Sequence, residues 1–541
     1  MLLKTNISFV RHGLAALALA LLAPMGAHGQ TISDVLTITR QAPATGARMM
    51  GMAGAGTAGL EDYAAFTYNP AALGYYRHSE VAGSFYGFSA TNEAVFRLPG
   101  GNTSPLDENI RNYGLGNLAY IYKVPTQRGS FVVGGGINEV NNYARELSFE
   151  GVNGQNTLAE AYIPAPEQLT WDVNLGPDGE LDGENDLNPD DEYTVNGLTN
   201  PFALLLFDTY ALDIAYDNFE QDPATGRVTL NGDLLRSPLA SVQQSGTLTE
   251  EGSRYEANLG SAIEVASDVM MGASVNVIFG SYSFTNIYEE ENAGDSDEAN
   301  FEYLELTDRI EDDFSGANGR LGVSARIVEG LRGGLMLETP TYYSIKETYS
   351  TELYAESEGL SDTYGDDNDE NFASGEFEYQ ITTPWQLGAG LAFSAGRASI
   401  SGDLTFVDWS QLELSSDTDR NTFDNLNQNI SQNLDIALNA RFGGEYRFKQ
   451  LSARAGFAYQ PDPFQSDLTS SDGESFDKKR LFYSAGVGYR LSNRLELDAA
   501  WMQERFEDQY SPYTVAGGGR GPVADEQIAR NRFVIGLRYA F

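Results

Sequence analysis

The sequence contains no cysteine and only three histidines. The absence of cysteine excludes disulfide bonds, thiolate metal sites, cysteine nucleophiles and a lipid-modified N-terminal cysteine. Two of the histidines, His12 and His28, fall in an N-terminal segment that we expect to be removed. Only His78 is then left for the acid–base or metal chemistry that most histidine-dependent enzymes need. We therefore do not expect an enzyme.

Basic residues are also scarce, since 34 Lys and Arg face 77 Asp and Glu and the net charge is -43. Nucleic acid requires a basic surface, so it is excluded as a partner. Solvated acidic loops account for most of this charge. No stretch after the N-terminal segment offers ~20 uninterrupted apolar residues, and any membrane span must therefore be a β-strand.

The first 29 residues have the pattern of a signal peptide. Lys4 and Arg11 stand in a segment without acids, and an apolar run follows over 13–23. Ala27 and Gly29 then supply small residues at the two positions that a signal peptidase recognises. We predict a signal peptide over 1–29 and a mature chain that starts near Gln30.

The last eleven residues alternate between two kinds of side chain. Apolar and aromatic side chains at Phe533, Ile535, Leu537, Tyr539 and Phe541 alternate with Arg532, Val534, Gly536, Arg538 and Ala540. A strand has a side-chain period of two, so one face suits hydrocarbon and the other suits a polar lumen. Ending on an aromatic residue is typical of the closing strand of outer-membrane barrels. The inward Arg532 and Arg538 are expected to pair with acids on neighbouring strands, such as Glu496 and Asp498, or with a plug.

Similar alternation recurs through 79–541, and short turns there alternate with long acidic segments. The long segments are 97–111, 151–251, 287–316, 352–373, 411–432, 461–479 and 507–529. Seven long loops and six short turns connect fourteen strands, with both chain ends on the short-turn side. We predict an all-β fold, a 14-stranded antiparallel transmembrane β-barrel over 79–541, with 151–251 the largest extracellular loop and partly helical. A large soluble sandwich or propeller remains the alternative.

Residues 30–78 precede the alternation and include a Gly-, Ala- and Met-rich run over 46–56. The glycines lack the preceding strand and following helix of a nucleotide-binding loop. Compact irregular backbone in a confined place is the simpler interpretation, because glycine permits close approach. The segment ends in Asn69-Pro70-Ala71, where Pro70 restricts Asn69 to extended geometry.

Four places resemble the FadL family of outer-membrane transporters for long-chain fatty acids and other hydrophobic compounds. These are Asn69-Pro70-Ala71, Pro384-Trp385-Gln386-Leu387-Gly388, Val407-Asp408-Trp409-Ser410-Gln411 and the final three hairpins over 441–541. The resemblance implies that residues 30–78 form a hatch inside the lumen and that Asn69, Pro70 and Ala71 fix it against the wall. The other interpretation of that tripeptide is a turn before the first strand.

The resemblance also implies a third strand that kinks inward and opens the wall for lateral exit. The corresponding strand contains Gly134, Gly135 and Gly136, which would weaken strand pairing and permit a bulge. These glycines are our candidates for the lateral gate. Glycine also relieves barrel curvature, and that alternative stays open.

Residues 200–212 predict a capped helix with a broad apolar face inside the largest loop. The family's outer loops form a groove that first binds the lipid, and the resemblance implies such a groove here. The candidate groove residues are Phe202, Leu205, Leu206, Phe207, Tyr210 and Leu212. A small core that folds the loop onto itself is an equal alternative.

A calcium loop is a weaker prediction upstream. Asp178, Glu180, Asp182 and Asp186 occupy ligand positions 1, 3, 5 and 9, but position 12 is Pro189. A solvated acidic loop is favoured, so we expect no cofactor apart from this calcium candidate.

The functional expectation is passive, diffusion-driven uptake of a hydrophobic small molecule across the bacterial outer membrane. The steps would be capture in the loops, transfer into the lumen and lateral exit into outer-membrane lipid. We expect a monomer that the barrel-assembly machinery inserts. A FadL-fold component of a protein secretion system and a general diffusion porin are the alternatives.

Overall fold

The computed structural model describes residues 31–541 apart from several internal segments. Those segments are 163–169, 175–191, 197–200, 210, 222–227, 237–240, 295–300, 358–359, 365–373, 419–420, 466–467, 470–474 and 516–520. The predicted signal peptide 1–29 lies outside the described residues. The helices are α1 Ile32–Thr39, α2 Ala47–Met50, α3 Ala65–Tyr68, α4 Pro201–Asp208 and α5 Asp424–Asn433, with short 3-10 helices at Pro70–Tyr75, Leu158–Tyr162 and Trp409–Gln411. None of the helices in the described part of the chain is long and apolar enough to cross a membrane.

The strands form one large antiparallel sheet and two small ones. In chain order they are β1 Glu80–Leu98, β2 Gly101–Asn102, β3 Leu106–Val124, β4 Phe131–Asn142, β5 Arg145–Asn153, β6 Thr170–Asn174, β7 Glu192–Asn196, β8 Leu212–Gln221, β9 Val228–Arg236, β10 Val242–Ala266, β11 Val269–Asn292, β12 Phe301–Val328, β13 Leu331–Glu338, β14 Tyr342–Ser357, β15 Leu360–Tyr364, β16 Ser374–Thr382, β17 Gln386–Ala395, β18 Ala398–Asp408, β19 Glu413–Ser415, β20 Ile436–Phe448, β21 Leu451–Gln460, β22 Leu468–Thr469, β23 Ser475–Phe476, β24 Arg480–Arg490, β25 Leu495–Tyr510 and β26 Val523–Ala540.

The large sheet closes into a barrel of fourteen antiparallel strands, which confirms the predicted fold class. Four of the fourteen are interrupted, as β4 with β5, β13 with β14, β16 with β17, and β18 with β19. The seam joins β1 to β26, in register from Glu80 opposite Ala540 to Arg97 opposite Val523. The start of β1 and the end of β26 therefore both lie on the short-turn side, as the sequence predicted.

The outer surface next to the short turns is a continuous apolar belt. In the closing strand, Phe533, Ile535 and Leu537 are 55%, 61% and 47% exposed, whereas Arg532 and Val534 are buried. Outward residues on other strands repeat this pattern, among them Leu259, Val275, Leu321, Leu335, Leu391, Ile400 and Phe442. An exposed apolar band around a closed barrel is what contact with hydrocarbon requires.

Several wall strands extend far beyond this belt, which corrects the predicted loop limits. The predicted loop 287–316 is mostly strand, because β11 runs to Asn292 and β12 starts at Phe301. The ends of the predicted loop 151–251 are likewise taken up by β5 and β10. At ~3.3 Å per residue the 28 residues of β12 span roughly 90 Å, against an apolar band of ~25 Å. Above the belt most outward residues are polar or charged, as at Ser281, Glu289 and Glu311. The prediction took this loss of outward apolar residues for the end of the strand.

Residues 31–79 lie inside the barrel and contact its inner wall, and we call them the hatch. Helix α1 begins with a capping box between Thr31 and Asp34. Its buried side chains Val35, Leu36 and Ile38 pack in one cluster with wall residues, including Ile278, Phe314, Tyr343 and Ile345. The amphipathic pattern of this helix therefore seats it against the wall.

Buried ion pairs fasten the hatch to the wall and the closing strand to its neighbour β25. Arg48 of the hatch pairs with Glu445 of the wall at 3.2 Å. Arg538 pairs with Glu496 at 2.9 Å and with Asp498 at 3.1 Å. The predicted partners of Arg538 are therefore confirmed.

Candidate functional site in the barrel lumen and wall

A cavity of about 900 Å³ lies in the lumen above the hatch. Helix α1 forms its floor, with Thr31, Ser33 and Asp34 facing the space. Aromatic side chains contribute to its walls, including Tyr162, Tyr282, Phe284, Tyr379, Phe464 and Phe506. The cavity has the size and the aromatic lining of a site for a small or medium-sized organic molecule.

Asp34 is the acidic side chain that α1 presents to the cavity. Its carboxylate accepts from the Thr31 backbone N–H at 2.8 Å and from the Thr31 hydroxyl at 2.7 Å. Desolvation deep inside the barrel raises the pKa of the Asp34 carboxyl, although the bonds with Thr31 act in the opposite direction.

An apolar core closes the barrel above the cavity, and we call it the outer core. It combines residues of α4 and of the 3-10 helix 158–162 with inward wall side chains. Its fully or nearly fully buried members include Phe96, Phe149, Leu158, Leu206, Leu304 and Leu353. The cavity is therefore enclosed between this core and the hatch.

The predicted groove residues are found here. Phe202, Leu205, Leu206 and Leu212 are all buried in the outer core, so the structure brings these four together. Phe207 lies in α4, and Tyr210 is outside the described residues. A buried core is the alternative that the sequence left open, and the groove role stays a prediction.

The wall is open beside the cavity because its third strand leaves the sheet. Strand β4 pairs with β3 only from Asn138 opposite Asn117 to Phe131 opposite Val124. Beyond that point β3 pairs with β1 alone among the described strands, as far as Leu106. The third strand breaks at Tyr143-Ala144 and continues as β5 along β10. A gap in the strand pairing thus separates the outer half of β3 from β10, and β5 passes close to β1 and β3 there without pairing with them.

The gap lies at the outer edge of the apolar belt. Tyr113 and Leu115 of β3, which are 87% and 41% exposed, mark one side. On the other side the rings of Tyr255 and Phe279 stack with centroids 5.8 Å apart. A surface groove starts at this gap, beside Asn112, Ser253 and Tyr255, and continues along the outer face of the wall to Glu378 of β16. We call the gap between the outer half of β3 and β10 the wall opening.

Polar contacts hold the displaced strand inside the opening. Glu139 is fully buried and forms an ion pair with Arg532 of the closing strand. The Arg532 guanidinium also lies 4.7 Å from the centre of the Tyr86 ring. Asn112 of β3 donates to Asn142 at 3.1 Å across the gap. These contacts stabilise the kinked path despite the lost strand pairing.

The kink also contacts the hatch. Tyr143 packs edge-on against Tyr282 at 5.5 Å and donates a hydrogen bond to the carbonyl of Ile38 at 3.3 Å. Arg254, opposite the kink, donates to the carbonyls of Ile38 and Thr39 at 2.9 and 3.1 Å. A cation at the end of α1 also complements the helix dipole. The floor of the cavity and the edge of the opening are thus joined by direct bonds.

The three candidate gate glycines lie elsewhere on the same strand. Gly134, Gly135 and Gly136 pair regularly with β3 on one side and with β10 on the other. The register shift along β10 falls between Arg254 and Tyr255. The break in the strand therefore lies after Asn142, at residues that sequence reasoning missed, and only an interruption in the alternation at 139–144 could have signalled it. A gate role for the glycines stays a prediction.

The Asn69-Pro70-Ala71 segment lies against the wall. The Asn69 amide donates to Thr57 O at 2.6 Å within the hatch and to Val323 O at 3.3 Å in the wall, while its oxygen accepts from the Ala71 N–H at 3.0 Å. Gly322 makes this approach possible, because a Cβ there would stand 1.9 Å from Asn69 Oδ1.

The calcium candidates Asp178, Glu180, Asp182 and Asp186 lie outside the described residues. Within the described ranges, no group of three or more acidic or histidine side chains is arranged to hold a metal ion.

Comparison with solved structures places the fold. A FadL homologue from Pseudomonas aeruginosa aligns over 93% of this chain and 99% of its own, with a TM-score of 0.53 and 13% identity. The chain has the FadL-type barrel fold. The toluene transporter TodX of Pseudomonas putida gives a TM-score of 0.47 at 13% identity over 92% of this chain and 99% of its own. The toluene transporter TbuX of Ralstonia pickettii gives a TM-score of 0.43 at 14% identity, over 92% of this chain and 99% of its own. No family model and no curated protein matches the chain by sequence. At 13% identity, the similarity to the FadL homologue shows a shared fold.

Proposed function

We propose that the protein is an outer-membrane channel for passive, diffusion-driven uptake of hydrophobic compounds, long-chain fatty acids being one class among them. The observation that carries the proposal is the wall opening at the outer edge of the apolar belt, directly beside an aromatic cavity. A compound held in the cavity would have a short lateral path into hydrocarbon. The hatch occupies the alternative path along the barrel axis.

Tyr143 is the side chain that separates the cavity from the opening. Its ring contacts Tyr282, which lines the cavity, and Phe314, which lines the surface groove outside, with centroids 5.5 and 6.4 Å away. Passage would require this ring to move. Its bond to Ile38 links that movement to helix α1.

Cross-linking across the opening tests the lateral route. The chain has no native cysteine, so the pair Asn112→Cys and Asn142→Cys can be joined by a short bifunctional thiol reagent without background. Uptake of a fluorescent hydrophobic compound into lipid of reconstituted vesicles should fall at least about tenfold on cross-linking, since the only proposed exit is closed. The uncross-linked double variant serves as the reference.

A matched control places the same cross-link where the wall is already continuous. Leu118 and Ile137 are directly opposed residues on β3 and β4. Joining Leu118→Cys to Ile137→Cys should leave uptake unchanged. Equal uptake by both cross-linked proteins would contradict lateral exit, and a large ion conductance of the unmodified protein would favour a general diffusion porin.

A further inference from the structure

Three neighbouring turns on the short-turn side of the barrel carry only positive charge. They are residues 394–399, 446–451 and 489–495, and their charged residues are Arg397, Arg447, Lys449, Arg490 and Arg494. The chain as a whole has 77 acidic and 34 basic residues, so three adjacent turns without any acid depart strongly from its composition. We call these five residues the basic crescent.

Direct backbone bonds join the three turns into one continuous surface. The Arg447 N–H donates to the carbonyl of Arg397 at 2.9 Å, and the Arg490 N–H donates to the carbonyl of Gln450 at 2.9 Å. The carbonyl of Arg494 then accepts from a backbone N–H of the closing strand at 2.8 Å. The basic crescent thus runs from the turn between β17 and β18 to the end of the closing strand.

Most of the charge in the basic crescent is free to meet a partner outside the chain. Arg447 pairs with Glu445 at 2.6 Å. The other four side chains are exposed, and none of them forms an ion pair or a side-chain hydrogen bond with a residue that the structure describes.

The basic crescent borders the apolar belt directly. Phe448, Leu451 and Tyr489 adjoin crescent residues in the chain and are 50%, 47% and 45% exposed on the outer surface. The guanidinium of Arg397 and the ammonium of Lys449 lie 5.7 and 5.5 Å from the centre of the Phe448 ring. Since a strand advances ~3.3 Å per residue, these cations stand within a residue or two of the last lipid-facing side chains. That is the depth at which hydrocarbon gives way to lipid headgroups.

The rest of the described surface does not offer such an arc. Elsewhere on the short-turn side the charges are mixed, and Arg326 pairs with Asp268 at 3.3 Å. Above the belt, three acids and one lysine are among the residues that line the surface groove at the wall opening. An anion is therefore attracted to the basic crescent and repelled by the opposite side of the membrane.

The position of the basic crescent selects a lipid as the anionic partner. Arginine and lysine are the side chains that bind phosphate in proteins, and basic residues beside a membrane-spanning segment attract anionic lipids. Because the crescent is continuous with the belt, one phospholipid can place its phosphate against these cations and its acyl chains along Phe448 and Leu451. A soluble anion would use only the first of these contacts.

We propose that the basic crescent binds the headgroups of anionic phospholipids in the periplasmic leaflet and concentrates such lipids on this arc of the barrel. The short turns of outer-membrane barrels face the periplasm, which places the crescent at that leaflet. The inference goes beyond the proposed uptake function and does not depend on it.

Competition between two lipids with the same acyl chains tests the proposal. The full-length protein is equilibrated in neutral detergent with equal amounts of phosphatidylglycerol and phosphatidylcholine, and native mass spectrometry counts the bound molecules of each. Phosphatidylglycerol should be retained at least about fivefold more, because one basic residue near an anionic lipid surface contributes roughly this factor in affinity. Raising the salt from about 0.05 M to about 0.5 M should weaken the preference through screening.

Two variants separate the charge from the shape of the turns. The quadruple variant Arg397→Gln, Lys449→Gln, Arg490→Gln and Arg494→Gln should retain the two lipids equally. The triple variant Arg397→Lys, Arg490→Lys and Arg494→Lys keeps the charge and should keep the preference. Thermal unfolding in detergent should be the same for both, since all of these side chains are exposed.

The matched control removes three arginines and one lysine from the other side of the membrane. Four exposed cations on strands above the belt serve for this, as Arg111→Gln, Arg309→Gln, Lys346→Gln and Arg505→Gln. This control variant should keep the preference for phosphatidylglycerol. Equal loss in the two quadruple variants would overturn the basic crescent as the site. Equal retention of both lipids by the unmodified protein would overturn lipid binding and make an acidic periplasmic protein the better partner.

Discussion

At the level of the apolar belt the lumen is filled by the hatch, whereas above the hatch a cavity lies under a core of large apolar side chains. We call these the belt half and the outer half. In the belt half, wall glycines let the hatch approach closely, and buried charges such as Arg320 and Arg48 hold it. In the outer half, the outer core closes the barrel over a cavity. The first arrangement fixes a plug, and the second leaves room for a ligand.

The largest effect should come from removing the central charge of the belt half. Arg320 is fully buried and bonds Glu338 at 2.7 Å, Glu256, and the hatch carbonyl of Phe66 at 3.0 Å. Arg320→Met would leave two carboxylates buried without their cation. The free energy of unfolding in detergent should fall by about 3–5 kcal/mol.

Arg326→Met is the matched control, since Arg326 lies on the same strand and pairs with Asp268 while both side chains are nearly half exposed. An exposed pair of this kind contributes about 0–1 kcal/mol. If both variants lost the same stability, the buried network could not be what distinguishes the belt half.

The outer half should respond to loss of apolar volume. Leu206 is fully buried in the outer core, and Leu206→Ala should cost about 2–5 kcal/mol through lost burial and a cavity. Limited proteolysis should then cleave the outer half sooner while the hatch remains protected. Leu404→Ala, on the lipid-facing surface and 46% exposed, should change neither pattern. Simultaneous release of the hatch would show that the two halves are one cooperative unit.

Close approach in the belt half can be tested at Gly322. A valine there would collide with Asn69, and forced overpacking of this kind costs about 1–3 kcal/mol. The expected result is a lower unfolding temperature together with faster proteolysis of the hatch. Gly87→Val is the control, because a Cβ at Gly87 meets nothing within 4 Å. Unchanged protection of the hatch in Gly322→Val would mean that the Asn69 contact does not hold it.

These differences also explain which features the sequence could predict. Alternation such as Phe533 to Phe541 predicted the belt, and the counts of turns and loops predicted fourteen strands. Above the belt the outward residues become charged, as at Glu289 and Glu311, and the strands no longer look membrane-spanning although they continue. Such a strand still alternates with a period of two. Its many charged residues, however, give it the composition of an acidic loop.

The site itself was less predictable because it depends on register. Tyr282 and Phe506 line the same cavity from β11 and β25, and nothing local in the sequence shows that these distant residues share it. The break at Tyr143 follows from where the strand bonds to Arg532 and to the hatch, which are distant in the chain. The glycines at 134–136 are locally conspicuous, yet their pairing is regular. Local flexibility alone therefore does not locate a wall opening.

The smallest predicted effect concerns the residue that joins the two halves. Tyr143→Phe keeps the ring between the cavity and the opening but removes its hydrogen bond to Ile38 at the end of α1. The free energy of unfolding should fall by only about 0.5–1.5 kcal/mol. Backbone hydrogen exchange at Arg40, whose N–H bonds Leu36 O at 2.9 Å, should nevertheless accelerate, because the helix end is less restrained. Tyr539→Phe on the lipid-facing surface should alter neither quantity, and unchanged exchange in Tyr143→Phe would mean that Arg254 alone secures the helix to the kinked strand.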